Sequence, residues 1–373
     1  MKFIYCSGRL LEAVNVHRIY KDSKTFVDMV MKNDPGLKKL LFFEFFQKFH
    51  EIRRINRKYL KHHFHCPENT LEAFNKRFGD LPAGIIDRSD LKQFLDDYFL
   101  PPSSELINCT PADWVPRPRK LMQITDPVLR HWALDINMLW KTLCKTINPE
   151  MKKYESRSSL IYLPHNFMIP GGRFREFYYW DTYWILKGLI VSDMLNTTRE
   201  MILNLAHIVE KHSFIPNGGR IYYLHRSQPP VLCGMVYEYY ESTEDLDFVK
   251  KLLPIMTKEF QWWKVHRTVS VTMKNQDRHT VFQYRTDSNV PRPESFREDI
   301  LSSVGIVNKT EFWQDIASTA ESGWDFSSRW LRDKRTLKTV ETTKILPVDL
   351  NALMCWNMNI LEYFYELVGK LKN

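Results

Sequence analysis

Pro170-Gly-Gly-Arg-Phe-Arg-Glu-Phe-Tyr-Tyr-Trp-Asp-Thr-Tyr183 is the most informative stretch of this chain. A Gly-Gly turn precedes Arg173, and six aromatics interleave with Arg175, Glu176 and Asp181. That mixture suits a sugar. Pyranose C–H faces stack on aromatic rings, while the hydroxyls need donors and acceptors such as Arg, Asp and Glu. Gly171 and Gly172 supply backbone angles closed to other residues and let a ligand approach closely. Residue by residue, the stretch also reads as an amphipathic segment after a turn, with Phe177, Trp180 and Trp184 in the core. The run as a whole favours the sugar.

Outward from this stretch, helical periodicity dominates. Leu37 to Phe64 predicts one or two long helices. Thr125-Asp-Pro-Val opens another, with a capping side chain before Pro127 and apolar positions at Trp132, Ile136, Leu139 and Leu143. Thr198 to His212 places Met201, Leu205 and Ile208 on one face. Thr243 to His266 is helical, with Pro254 expected to kink or split it. Pro347 to Leu371 forms a last helix on Leu350, Leu353, Ile360, Leu361 and Leu367. The one strand suggested is Arg220 to Leu224. The class is all-α, with the motifs carried on connecting loops.

At 373 residues and 44% hydrophobic, the chain can bury a sizeable core, and no Gly/Ser- or Pro-rich linker divides it. A single domain over 1–373 is expected. No window reaches the apolar length of a membrane helix; the best, Trp184 to Leu195, is cut by Lys187 and Asp193. Met1-Lys-Phe-Ile-Tyr-Cys6 runs straight into Ser, Gly and Arg, which is no signal peptide. The six cysteines are widely spaced, so buried thiols are expected rather than disulfides. Sequons occur at Asn108, Asn196 and Asn308.

The net charge of +9 raises the question of a nucleic-acid partner. The densest basic stretch, Arg53 to His63, has Ile52, Ile55, Tyr59 and His63 at helical spacing, so a solvated helix face accounts for the charge and no nucleic acid is implied. His62, His63, His65 and Cys66 are too crowded for a zinc site, so no metal is expected. No GxSxG elbow, Walker loop, GxGxxG or HExxH occurs, which removes support for serine hydrolases, nucleotide enzymes and zinc proteases.

The stretch from Pro170 to Tyr183 meets every fixed position of PGGRFxExYxWDxY, a signature of trehalases, and the chain resembles that family. Further motifs match in family order: Ile215-Pro-Asn-Gly-Gly-Arg-Ile-Tyr-Tyr-Leu-His-Arg-Ser-Gln-Pro-Pro230, Pro291-Arg-Pro-Glu-Ser295 and Glu321-Ser-Gly-Trp-Asp-Phe-Ser-Ser-Arg-Trp330. Tyr5-Cys-Ser-Gly-Arg-Leu-Leu11 and Asp22-Ser-Lys-Thr-Phe-Val-Asp28 look like the N-terminal part of animal-type members. The resemblance implies an (α/α)6 toroid that hydrolyses α,α-trehalose to two glucoses with inversion, needing no cofactor. Family members are usually secreted or tethered outside the cell; without a signal peptide, either this chain stays in the cytosol or Met1 is not its true start.

The resemblance also implies the site. Asp325 matches the general acid, with Gly323 giving room for substrate and Trp324 and Phe326 shielding the carboxyl so that it stays protonated. Taken alone, an Asp before Phe326 reads as a helix cap; within the motif the acid role is favoured. Arg173, Arg226 and Arg292 match pocket arginines, with Glu294 as acidic partner. Each arginine alone reads as a surface salt bridge. Phe174 and Gly323 belong to the matched substrate positions, Trp180 as a stacking face, Asp181 and Asn217 as hydroxyl partners.

A second family signature, QWDxPxGWxP, does not occur, and the resemblance places it and the catalytic base beyond Asn373. The expectation is therefore a C-terminally truncated catalytic domain, its toroid lacking the last helices. The apolar face of Leu353, Trp356 and Leu361 would then stand uncovered. The alternative is a catalytically deficient relative that binds the sugar or a full-length partner. A toroidal glycosidase for another sugar fits less well, given how complete the motifs are.

Overall fold

The computed structural model describes residues 2–32 and 70–370. The helix expected over Leu37 to Phe64, its basic stretch and the His62–Cys66 cluster lie outside the described residues. The chain divides into two compact units. One comprises Met1–Glu105, Glu150–Leu160 and Arg292–Arg297; the other comprises Leu106–Pro149, Ile161–Pro291 and Glu298–Asn373.

The smaller unit contains helices α1 (Arg9–Val16), α2 (Thr70–Phe78) and α3 (Arg88–Tyr98). The α3 helix starts where Asp87 accepts the N–H groups of Ser89 and Asp90, two donors that a helix cannot satisfy internally. Phe74 and Phe94 meet edge to face at 5.5 Å in its core. Short strands β1 (Val30–Met31) and β2 (Phe99–Leu100) pair antiparallel.

The larger unit is built on α4 (Pro127–Leu143), α5 (Tyr179–Val191), α6 (Leu195–His212), α7 (Leu232–Thr243), α8 (Leu246–His266), α9 (Lys309–Glu321) and α10 (Val348–Lys370). The α6 helix packs on α5, α7 and α8, and α10 packs on α7 and α8. The class is all-α, as the periodicity predicts. Local chemistry sets the starts: Asp126 accepts from Val128 and Leu129 ahead of Pro127, and Asp245 accepts from Phe248. Met201, Leu205 and Ile208 form the buried stripe of α6. Pro254 does not split α8, which runs unbroken from Leu246 to His266. Its flanking Leu252, Leu253 and Met256 are all buried, and that burial holds the helix across the lost hydrogen bond.

Four expectations are corrected. The face of α10 is not uncovered: Leu361 is buried and Leu353 and Trp356 are half-buried. Gly234 of α7 makes this possible, since a Cβ there would lie 2.0 Å from the Trp356 ring. On α4, by contrast, the expected apolar positions Trp132 and Leu139 are 63% and 53% exposed. That helix faces its unit through Trp140, whose indole N–H donates to Ser192 Oγ at 3.0 Å and whose ring lies against Gly188.

Second, Arg220 to Leu224 is no strand. Ile221–Tyr223 is a 3-10 turn closed by Tyr223 N–H on the Arg220 carbonyl. A strand would send the adjacent Tyr222 and Tyr223 to opposite faces, whereas both are buried. Third, Cys109 and Cys144 form a disulfide. Strand β3 (Leu106–Asn108) pairs antiparallel with β4 (Cys144–Ile147), which brings together two thiols far apart in sequence. Strand β5 (Phe167–Met168) pairs with β4 and leads into the Pro170 turn. The fourth correction concerns Asp325 and follows below. No helix among the described residues is long and apolar enough to cross a membrane.

Candidate functional site

Within the larger unit, backbone hydrogen bonds lace the three motifs together. Tyr179 N–H donates to the Asn217 carbonyl at 3.1 Å, Gly219 N–H to that of Phe177, and Asn217 N–H to that of Arg226. Trp180 N–H donates to Gln228 Oε1 at 2.8 Å. The third motif is tied on by Asn217, whose amide donates to the Ala320 carbonyl at 3.2 Å, and by Ser227 N–H on Glu321 Oε1 at 2.8 Å. Glu321 is also gripped by the Arg267 guanidinium through two bonds of 2.9 and 2.8 Å. This buried pair anchors the end of α9 from which the Asp325 turn departs.

Gly323 enters that turn at φ +70°, where a side chain would be strained. A Cβ on it would stand 3.5 Å from Pro229 and 3.7 Å from Trp180. The turn therefore rests on the first residues of α5. Burial raises the pKa of the half-buried Asp181; a hydrogen bond to its own backbone opposes this and the negative charge of Asp325 adds to it. The structure thus brings Trp180, Asp181, Gly323 and Asp325 together.

Asp325 does not cap a helix. The next turn, Ser328–Trp330, is capped by Ser327, whose hydroxyl accepts from Arg329 N–H. The shielding expected of Trp324 and Phe326 is not delivered: Asp325 is exposed, and the two rings are 50% and 37% exposed. Trp330, whose indole N–H donates to the Trp324 carbonyl at 3.0 Å, is the aromatic of this turn that is fully buried.

Beneath the Pro170 turn lies a buried polar network. Tyr178 Oη donates to Glu176 and stands 2.9 Å from Tyr223 Oη, and Arg220 donates to Glu176 at 3.2 Å. Burial, then the neighbouring Tyr223 and Glu176, push the Tyr178 hydroxyl well above its ordinary pKa. The Arg226 guanidinium sits 4.9 Å over the Tyr223 ring. Phe174, 42% exposed, meets Tyr178 edge to face, with the exposed Arg173 beside it.

Arg292 and Glu294 belong to the smaller unit, both buried, flanking Pro293 in a turn closed by Ser295 N–H on the Arg292 carbonyl. The surface salt-bridge reading thus fails for Arg226 and Arg292, which are buried, and stays open for Arg173.

Sequence reasoning missed Glu259. Tyr179 Oη donates to Glu259 Oε1 at 2.6 Å and accepts the N–H groups of Val231 and Leu232 at 2.9 Å each. Burial lifts the Glu259 carboxyl to about 8, the Tyr179 hydrogen bond opposing. A signal was present: Leu252, Met256, Glu259 and Trp263 follow helical spacing, so a carboxyl interrupts the buried stripe of α8. No group of three or more His, Cys, Asp or Glu placed to hold a metal occurs among the described residues.

A family model described as trehalase matches residues 56–373. The trehalase of Apis mellifera is 38% identical over 373 residues, covering 98% of this chain and 54% of the relative. The trehalase of Dictyostelium discoideum is 39% identical over 375 residues, covering 98% and 58%. Among solved structures, the neutral trehalase Nth1 from Saccharomyces cerevisiae aligns with a TM-score of 0.43 at 22% identity, over 54% of this chain and 40% of that one. The chain spans little more than half the length of the curated relatives it matches.

Proposed function

We propose, from the premise that this chain belongs to the trehalase family, that Trp180, Asp181 and the Gly323–Asp325 turn form part of a site that hydrolyses α,α-trehalose to two glucoses. Asp325 is the general acid of an inverting reaction. Its carboxyl proton passes to the bridging oxygen as the C1–O bond breaks, and the bond's electron pair stays on the departing glucose. Water adds to C1 from the opposite face and loses its proton to a second carboxylate. That base is assigned to no residue here. Trp180 offers a stacking face, and Asp181 a hydroxyl partner. Arg173, Phe174, Asn217 and Arg226 line the substrate. The chemistry needs neither metal nor cofactor.

The observation that carries this reading is the placement of the Asp325 turn against α5, where Gly323, two residues before Asp325, lies against Trp180 and Pro229. The experiment is glucose release from trehalose, alongside calorimetric binding, for wild type and Asp325→Asn. Release abolished in the variant, with binding kept, supports the acid role; equal release from both overturns it. A second reading is sugar binding without turnover. Binding with no glucose release from wild type would select it.

A further inference from the structure

We propose that Glu259 is a positioning residue for this site: through Tyr179 it holds the start of α5 and the Pro229–Leu232 bend against the turn that carries Asp325. The proposal rests on the functional reading above for its consequence, and on hydrogen-bond geometry for its mechanism.

Tyr179 Oη makes three hydrogen bonds at once. It accepts from Val231 and Leu232, two N–H groups at the start of α7 that the helix cannot satisfy internally. Its own proton goes to Glu259 Oε1, contributed by α8. Tyr179 is fully buried and Glu259 is 3% exposed, so solvent cannot replace either partner. From α10, the Asn357 amide donates to the Pro230 carbonyl at 3.0 Å. The bend before α7 is therefore fixed from both sides, by Asn357 on a carbonyl and by Tyr179 on two amides.

What this bend and Tyr179 carry is the floor of the Asp325 turn. Pro229 immediately precedes the pinned residues, and Trp180 immediately follows Tyr179. These are the two side chains nearest the Cβ position of Gly323, at 3.5 and 3.7 Å. Removing the Glu259 acceptor leaves a buried hydroxyl proton without its partner, and the hydroxyl must turn at the expense of its bonds to Val231 and Leu232. Movement there reaches Gly323, two residues from Asp325, with no charge on any substrate-facing atom altered. Glu259 itself touches no sugar. Burial favours its neutral form, whose carbonyl oxygen still accepts from Tyr179.

The test compares wild type with Glu259→Leu, Glu259→Gln, Tyr179→Phe and the Tyr179→Phe/Glu259→Leu double variant, each shown folded by circular dichroism. Trehalose affinity by calorimetry is expected to fall about tenfold in Glu259→Leu and in Tyr179→Phe, and no further in the double variant. Glu259→Gln keeps an acceptor and should restore affinity to within about twofold of wild type. Hydrogen exchange, read on the 229–232 and 321–327 peptides without sugar, should quicken about tenfold in Glu259→Leu and not in Glu259→Gln. Unchanged exchange in Glu259→Leu overturns the proposal whether or not the chain binds trehalose. Failure of wild type to bind trehalose would overturn the functional reading instead, leaving the exchange result to decide the mechanism. Additive losses in the double variant would also overturn it.

Discussion

Replacing Glu259 by Gln should change how stability depends on pH, and the size of the change follows from its burial. The folded chain holds the Glu259 proton up to about 8, against an ordinary value of 4.5 for a glutamic acid. Between those values the unfolded chain has released its proton and the folded chain has not, so the folded state binds more protons and stability falls as pH rises. The fall begins near 4.5 and is complete once pH passes about 8. A shift of about 3.5 units at about 1.36 kcal/mol per unit sets a ceiling of about 5 kcal/mol, with about 3 kcal/mol already lost at neutral pH. Gln does not titrate, so Glu259→Gln should lack this slope. Cys233 is the neighbouring group to watch: burial first, then Glu259, raises its thiol, so it stays neutral across the same window. Urea unfolding followed by circular dichroism, at pH steps from about 5 to 9, reads both curves. Their difference isolates Glu259 from every other titrating group. Parallel curves, with no divergence above pH 5, would refute the reasoning.

Three further outcomes are expected. Gly234→Ala puts a Cβ 2.0 Å from the Trp356 ring; despite the better helix propensity of Ala, it should lower stability by about 1–3 kcal/mol, and a Trp356→Leu background should cancel the loss. Arg267→Leu strands Glu321 as an uncompensated buried carboxylate and should cost about 3–5 kcal/mol in chemical denaturation, whereas removing both partners should cost less. The Cys109–Cys144 bridge closes a loop with a sequence separation of 35, for which chain entropy gives about 4 kcal/mol. Non-reducing peptide mapping should find the bridge, and Cys109→Ser/Cys144→Ser should melt at a lower temperature; alkylation of both thiols without reductant would exclude it.

The all-α class was legible where local physics speaks. Asp126 caps the helix that its position announces, and Met201, Leu205 and Ile208 share the buried face that their spacing requires. The candidate site was legible because its residues cluster within a few short runs. What escaped were pairings across long sequence distances. Tyr179 and Glu259 are 80 residues apart, and Arg267 and Glu321 are 54 apart. Neither pair is visible in a window the length of a helix. The Cys109–Cys144 bridge escaped in the same way, since wide spacing argued for free thiols until β3 and β4 placed the two side by side.

Burial separates the two levels most sharply. The apolar pattern of α4 correctly announced a helix, yet Trp132 and Leu139 stand exposed while Trp140 makes the contact with α5. Propensity and capping act within one turn of chain, so sequence alone determined where helices begin and which residue types gather in each motif. Which face is covered, which carboxyl keeps its proton and how close Asp325 comes to Asp181 depend on what other segments place opposite. Desolvation and Coulomb interaction are properties of that assembled surrounding, and the tertiary structure decided them.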